Sequence, residues 1–235
     1  MILETNDLLK FCNDSEKNKI LTEVIENYHK EVLKEIPNYD LFSGFQSGKE
    51  FGDVAEAQII DSFDDIEKFG DGTIYDANFK EDKSIRIEIK SAKMLRKTTE
   101  SRSLKGRIMS ITEENKHRTA AKFEQVKPYA CDWFIFHMVF GDGDMAYAVP
   151  SFMISEKSGA DNKEENKFLL STQHRGNERE GQVSITKTFI ESKMFMMDGY
   201  SFNNKNDNLS KYLEIVAQRL KANGIDVPDK LLLKK

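Results

Sequence analysis

The chain has 235 residues, 39% of them hydrophobic and 32% charged, with a net charge of −5 and only two cysteines, Cys12 and Cys131. That length suits one domain with appendages, and the acidic balance excludes an overall basic field of the kind that announces nucleic acid. Two distant cysteines build neither a disulfide framework nor a zinc site, and no stretch reaches transmembrane length.

The N-terminus lacks the basic start and long apolar run of a signal peptide, so a reducing cytoplasm and no membrane partner are expected. Residues 15 to 36 place Ile20, Leu21, Val24, Ile25, Tyr28, Val32 and Leu33 at three- and four-residue spacing, one apolar stripe of a long helix. The stripe packs on its own domain or forms a subunit interface. A second helix is expected over residues 49 to 66, with Phe51, Val54, Ala55, Ile59 and Phe63 as its apolar face. Glu56 shares a side with Ile59, Ile60 and Phe63. A carboxylate bordering a core stripe needs a partner or must reach water, and Asp53 lies one turn earlier.

Gly70-Asp71-Gly72 is a turn signal, preceded by a weak strand near residues 66 to 71. It leads into TIYDANFKEDKSIRIEIK, residues 73 to 90, which reads as a β-hairpin. Ile85, Ile87 and Ile89 alternate with Arg86, Glu88 and Lys90, and Tyr75, Ala77 and Phe79 alternate with Asp76, Asn78 and Lys80. A loop over residues 81 to 83 pairs Lys80 with Ser84, Asn78 with Arg86 and Asp76 with Glu88, giving one apolar and one polar face of a half-buried sheet. Asp76 and Glu88 are then cross-strand neighbours, roughly 5 Å apart at Cβ. Two carboxylates so placed call for a cation, and oxygen ligands suit a hard ion such as Mg²⁺. Lys90 lies on the same face, near enough to offset developing negative charge. Asp71, between two glycines, ranks behind Asp76.

From Arg86 to Lys127, twelve Lys/Arg stand against five Glu and no Asp, a local +7 that leaves −12 for the remainder. Within that block, residues 91 to 112 show weak periodicity and carry Lys93, Arg96, Lys97, Arg102, Lys105 and Arg107 against the single acid Glu100. Such a connection either grips a phosphodiester backbone or is a solvated charged surface. A helix over residues 113 to 126 follows, with Lys116, His117, Arg118 and Lys122 on its polar side, ending at Pro128. The run DWFIFHMVF, 132 to 140, is nearly continuously apolar, as in a strand buried on both faces and paired in parallel through a helical crossover. GDGD turns the chain into MAYAVP, 145 to 150, and a turn suffices to explain Asp142 and Asp144.

Residues 155 to 167 read as a polar mobile loop. FLLST, 168 to 172, and QVSITKTFI, 182 to 190, look like strands flanking a tip with Gln173, His174, Arg175, Asn177 and Arg179, whose side chains suit base edges. That tip is a groove-reading ribbon or an exposed hairpin end. A last helix is expected over residues 209 to 222, capped by Asp207 or Asn208 and closed by Gly224. His29, His117, His137 and His174 form no ββα-metal pattern, and zinc-ligand spacing is absent.

Asp76, eleven residues, then Glu88-x-Lys90 resembles the PD-(D/E)XK nuclease superfamily, which includes most type II restriction endonucleases. Tyr75 stands where that family has proline. The order helix, three strands, helix, strand over residues 49 to 150 matches the family's αβββαβ core, within an α/β (α+β) fold. Gln125-x-x-x-Tyr129, interrupted by Pro128, echoes an element of some family exonucleases.

The resemblance implies one nuclease domain over residues 1 to 235, with an N-terminal helical region (1 to 48), a catalytic core (49 to 150) and a recognition hairpin with a final helix (151 to 235). It implies Mg²⁺ held by Asp76, Glu88 and the carbonyl of Ile89, with Lys90 and Glu56 assisting. The expected activity is sequence-specific cleavage of double-stranded DNA by a homodimer. Alternatives are a repair, junction-resolving or phage nuclease without sequence specificity, and a non-catalytic nucleic-acid-binding module.

Overall fold

The computed structural model describes residues 23–24, 27, 48–70, 74–95, 108–111, 121–158, 167–172, 179–185 and 192–232. The fold class is α+β. Helix α1 (Gly48–Ser62) leads into strands β1 (Ile66–Lys68), β2 (Ala77–Phe79) and β3 (Arg86–Lys93). Strand β4 (Ala121–Val126) is followed by β5 (Trp133–Val139) and β6 (Asp144–Pro150), then β7 (Ile154–Ser158), β8 (Phe168–Thr172), β9 (Gly181–Ile185) and helix α2 (Leu209–Ala222).

The strands form two sheets. One is five-stranded and mixed, in the order β1-β2-β3-β5-β6, with β3 parallel to β5 and the other pairings antiparallel. The second, β4-β9-β8-β7, lies over it. Every residue of β5 is buried because both faces of that strand are covered. On one face Phe136 meets Phe123 of β4, ring centroids 4.8 Å apart. On the other, His137 makes edge contacts with Tyr200 and Phe202 from the segment before α2. Each fully buried aromatic here contributes about 1.5–3 kcal/mol of transfer free energy.

Helix α1 buries Phe51, Ala55 and Ile59, as its spacing predicts, but ends at Ser62, four residues early. Ser62 Oγ donates back to the Ile59 carbonyl at 2.7 Å, and Phe63 turns away to bridge Asp207. Helix α2 has its expected bounds, and Tyr212, Leu213, Val216 and Leu220 face the core. Its cap comes from elsewhere. Asp65 accepts the N–H groups of Leu209 and Ser210 at 2.8 and 2.9 Å, while Asn208 makes no side-chain cap. At the other end Gly224 adopts φ 77°, and the N–H groups of Gly224 and Ile225 return to the carbonyls of Lys221 and Leu220, a Schellman closure. The tail then brings Leu231 to Trp133, whose indole N–H donates to the Leu231 carbonyl at 2.9 Å.

Further expectations are corrected. Residues 121 to 126 form β4 rather than the end of a helix. Gln125 at φ 56° makes a bulge that returns Val126 to the face of Phe123, so two buried residues three apart imitate a helical period. Residues 154 to 158 form β7, paired in parallel with β8, rather than part of a loop. The β2–β3 connection runs over residues 80 to 85, with the Lys80 amide bonded to the Asp65 carbonyl and Asp82 accepting from the Ser84 amide. Its polar face is also buried: Asn78 and Glu88 are 1% and 5% exposed. The weak strand is confined to Ile66–Lys68.

Of the N-terminal helix, Glu23, Val24 and Asn27 are described as helical, and Val24, from the expected apolar stripe, is exposed. The rest of that stripe, Asp71, and residues 113 to 120 lie outside the described residues. No described helix is long and apolar enough to cross a membrane.

Candidate active site

Strand β3 supplies two of the four residues singled out for chemistry. Its register with β2 pairs Ala77 with Ile87 and Asn78 with Arg86, and just before β2 the Asp76 N–H donates to the Ile87 carbonyl at 3.0 Å. The ladder ends there. The amide of Ile89 therefore meets the side chain of Asp76 instead of a strand, donating to Oδ2 at 2.6 Å. In an antiparallel pair the N–H and C=O of one residue point to the same neighbour, so the Ile89 carbonyl is directed to that edge as well.

Glu88 pairs through Oε1 with the ammonium of Lys90. Its Oε2 is buried with no hydrogen-bond partner among the described residues. Asn78 Oδ1, two residues from Asp76 and on the same face, is likewise buried without a donor. Leaving a buried acceptor unpaired costs about 1–3 kcal/mol, more when it is charged.

These groups act on one another. Burial raises the Glu88 pKa; Lys90 opposes the rise and Asp76 adds to it. Burial likewise raises Asp76 above its ordinary value, against the pull of Lys90, the Ile89 amide and Lys68. Glu56, half-buried on α1, is pushed up to about 7, chiefly by burial and then by the Asp76 charge. Lys90 is drawn down by burial but held up more strongly by Glu88 and Asp76 together, so its net shift is upward and it stays an ammonium. Asp76, Glu88, Lys90 and Glu56 thus lie within electrostatic reach of one another.

Two cations were not foreseen. Lys68 on β1 sits 4.0 Å from Glu56, and the charge of Lys127 bears on Glu88 from the turn after β4. Lys68 is discernible as a polar residue at the end of a short strand; Lys127 is hidden when residues 113 to 126 are read as a helix. Arg86 faces away from this chemistry. It forks onto Asp132 at 3.0 and 3.2 Å, tying the start of β3 to the start of β5. Asp53 adds a small upward push on Asp76 and is otherwise outside the group.

Of the residues expected to bind DNA through the basic connection, Lys93 is described, and its ammonium sits 4.7 Å from the centre of the Phe51 ring on the helix side of the sheet. Arg96, Lys97, Arg102, Lys105, Arg107, Lys116, His117, Arg118, Gln173, His174, Arg175 and Asn177 lie outside the described residues. The strands that carry the hairpin tip are in place, with Ser171 opposite Gln182 and Thr172 opposite Gly181.

Asp144 is more than a turn residue. It is buried at the start of β6, with its Oδ2 3.1 Å from His137 Nε2, and it accepts the Ser201 hydroxyl at 2.7 Å and the Phe202 amide at 3.2 Å. His137 Nδ1 lies 3.4 Å from Ser91 Oγ. Asp142, by contrast, serves the loop, accepting from the Ile111 amide at 2.6 Å.

No protein-family model, no curated protein and no solved structure matches the chain.

Proposed function

We propose that the protein is a divalent-metal-dependent deoxyribonuclease of the PD-(D/E)XK type, with α1 and the five-stranded sheet as its core; among the described residues the connection from β3 to β5 carries β4 where that family has its second helix. The reading rests on one observation above the others: the buried Glu88 Oε2, without a partner among the described residues, on the strand whose Ile89 amide is bonded to Asp76.

The residues present suit such an ion. The donors are oxygens, the net charge of the group is negative, and a buried acceptor awaits a cation. Among the described residues no group of three or more His, Cys, Asp or Glu side chains is close enough to form a ligand cage. That is compatible with Mg²⁺, which commonly takes one or two carboxylates and fills the rest with water and substrate phosphate. Asp76, Glu88 and the Ile89 carbonyl would hold it. When bound, the ion lowers the pKa of a water and polarises the phosphoryl oxygen.

Lys90, kept protonated by its two carboxylate neighbours, orients the attacking water and offsets charge that builds on the phosphate; it is not the base. Glu56, with a pKa of about 7, is suited to take the proton from that water. The phosphorus–oxygen bond to the leaving strand then breaks without a covalent enzyme intermediate. Burial of Glu88 speaks against a hairpin that merely displays charge. Sequence-specific cutting of double-stranded DNA by a homodimer in a reducing cytoplasm is the form of the reaction we favour.

Incubation of plasmid DNA with and without Mg²⁺ tests it. Discrete fragments are expected with the metal and none in chelator, and a smear would indicate cleavage without sequence preference. Asp76→Ala protein that cuts as well as the natural chain would overturn the assignment.

A further inference from the structure

Two aromatic rings are stacked beside Asp76. Phe69 follows the end of β1, the edge strand of the five-stranded sheet, and its amide donates to the Asp76 carbonyl at 2.8 Å. The Asp76 amide in turn donates to the Ile87 carbonyl at 3.0 Å, so Phe69 is tied through one residue to β3. Tyr75, the residue before Asp76, packs against the hydrophobic core. The ring of Phe69 lies on that of Tyr75, with centroids 4.5 Å apart and planes 22° apart. Phe69 itself is 36% exposed, and Ile74, next to Tyr75 in sequence, is 54% exposed.

Scattered exposed apolar side chains are ordinary and call for no explanation. Phe69 differs in two respects. Its ring is held in a fixed plane by a partner anchored in the core, and its main chain is one hydrogen bond from a candidate metal ligand. Tyr75 covers one face of the ring, and the remaining surface meets water at the rim of the site.

We infer that the outer face of Phe69 receives one nucleobase of the strand that is cut, an inference that rests on the nuclease reading. A strand whose phosphate meets an ion held by Asp76 brings a flanking base within about one nucleotide of this ring. Because Tyr75 occupies the inner face, Phe69 is not a wedge driven between two bases, which needs both faces of the ring. It takes a base from one side only, as the end of a stack. A base stacked on both of its neighbours has no free face to offer, so the occupant is a nucleotide drawn out of the helix or lying in a single-stranded stretch. Every base has a π-face, so this contact fixes where the strand sits rather than which sequence is read.

The full chain is titrated, in Ca²⁺, which oxygen donors accept, with a short single-stranded oligonucleotide in which one base is removed at each position in turn. At one position the loss of the base should weaken binding to the natural chain on the order of tenfold, the effect of one base–aromatic stack. Phe69→Ala should weaken binding of the intact strand by a similar factor and remove the penalty at that position, since the two changes delete the same contact. Phe69→Leu, which keeps an apolar side chain without a ring, should behave as Phe69→Ala, while Phe69→Tyr keeps the natural affinity. Should Phe69→Ala fail to fold, Phe69→Leu carries the test. Natural affinity in Phe69→Leu, or a strand indifferent to base removal at every position, would overturn the inference. So would a Phe69→Leu chain that sediments as a monomer where the natural chain is a dimer, because the ring would then belong to a subunit contact. A natural chain that shows the Phe69-dependent base contact yet leaves plasmid DNA whole in Mg²⁺ defeats the nuclease reading alone. One that cuts plasmid but shows no such contact defeats this inference alone.

Discussion

Two buried carboxylates on neighbouring parts of one sheet have opposite surroundings. Asp144 meets His137, the Ser201 hydroxyl and the Phe202 amide, so both of its oxygens are satisfied. Glu88 has one oxygen on Lys90 and the other without a partner among the described residues. A polar group whose bonds all close within the chain holds the structure together. One left open after folding has a cost with no return inside the fold, and such a cost is sustained where something from outside completes it.

The sharpest way to break this contrast is to remove the open side. Asp76→Ala and Glu88→Ala should each lower DNA cleavage by roughly 10³-fold or more, with little loss of thermal stability, since each deletes an unfavourably buried charge. If either variant unfolds instead, the site is structural and the distinction fails. Asp144→Ala should do the reverse. It strips partners from His137, Ser201 and Phe202, and a urea titration should show a loss of about 3–5 kcal/mol.

Glu56→Gln should reduce cleavage by about 10–100-fold, in line with loss of a group that acts beside the metal ligands. It should also flatten the pH profile. Glu56 ordinarily titrates at 4.5 and here at about 7, so activity that needs its carboxylate rises as pH climbs through neutrality. Stability of the metal-free protein runs the other way. A carboxyl with a higher pKa folded than unfolded binds its proton more tightly in the native state, so its contribution is full below 4.5 and is lost as pH rises through about 7. Melting temperatures in chelator should therefore fall across that window, and Mg²⁺ should recover more of the loss at its upper end. The smallest effect is expected from Ser91→Ala. Its contact with His137 is long at 3.4 Å, and removing it should cost no more than about 1 kcal/mol in the same urea titration.

Much of the five-stranded sheet was legible because its strands announce themselves locally. Ile87 and Ile89 against Glu88 and Lys90 gave β3 its faces, the same alternation pairs Asn78 with Arg86, and the unbroken apolar run of β5 required cover on both sides. The cover itself was not legible. Phe123 and Val126 sit three apart only because Gln125 bulges, so β4 read as a helix, and without β4 the charged face of β3 looked open to water. The Asn78–Arg86 pairing was thus legible, but the face of Glu88 was placed at the surface. Asp144 was passed over because its partners arrive from Ser201 and Phe202, more than fifty residues away, and no local period encodes them. The cap of α2 by Asp65 was hidden by the same long separation.

Trp133 is the only tryptophan, and its indole is bonded to the carbonyl of Leu231 near the end of the chain. Its emission is therefore a built-in gauge of whether the C-terminal tail has docked. A red shift that precedes the loss of sheet signal on heating would mark detachment of that tail, with no extrinsic dye or tag required.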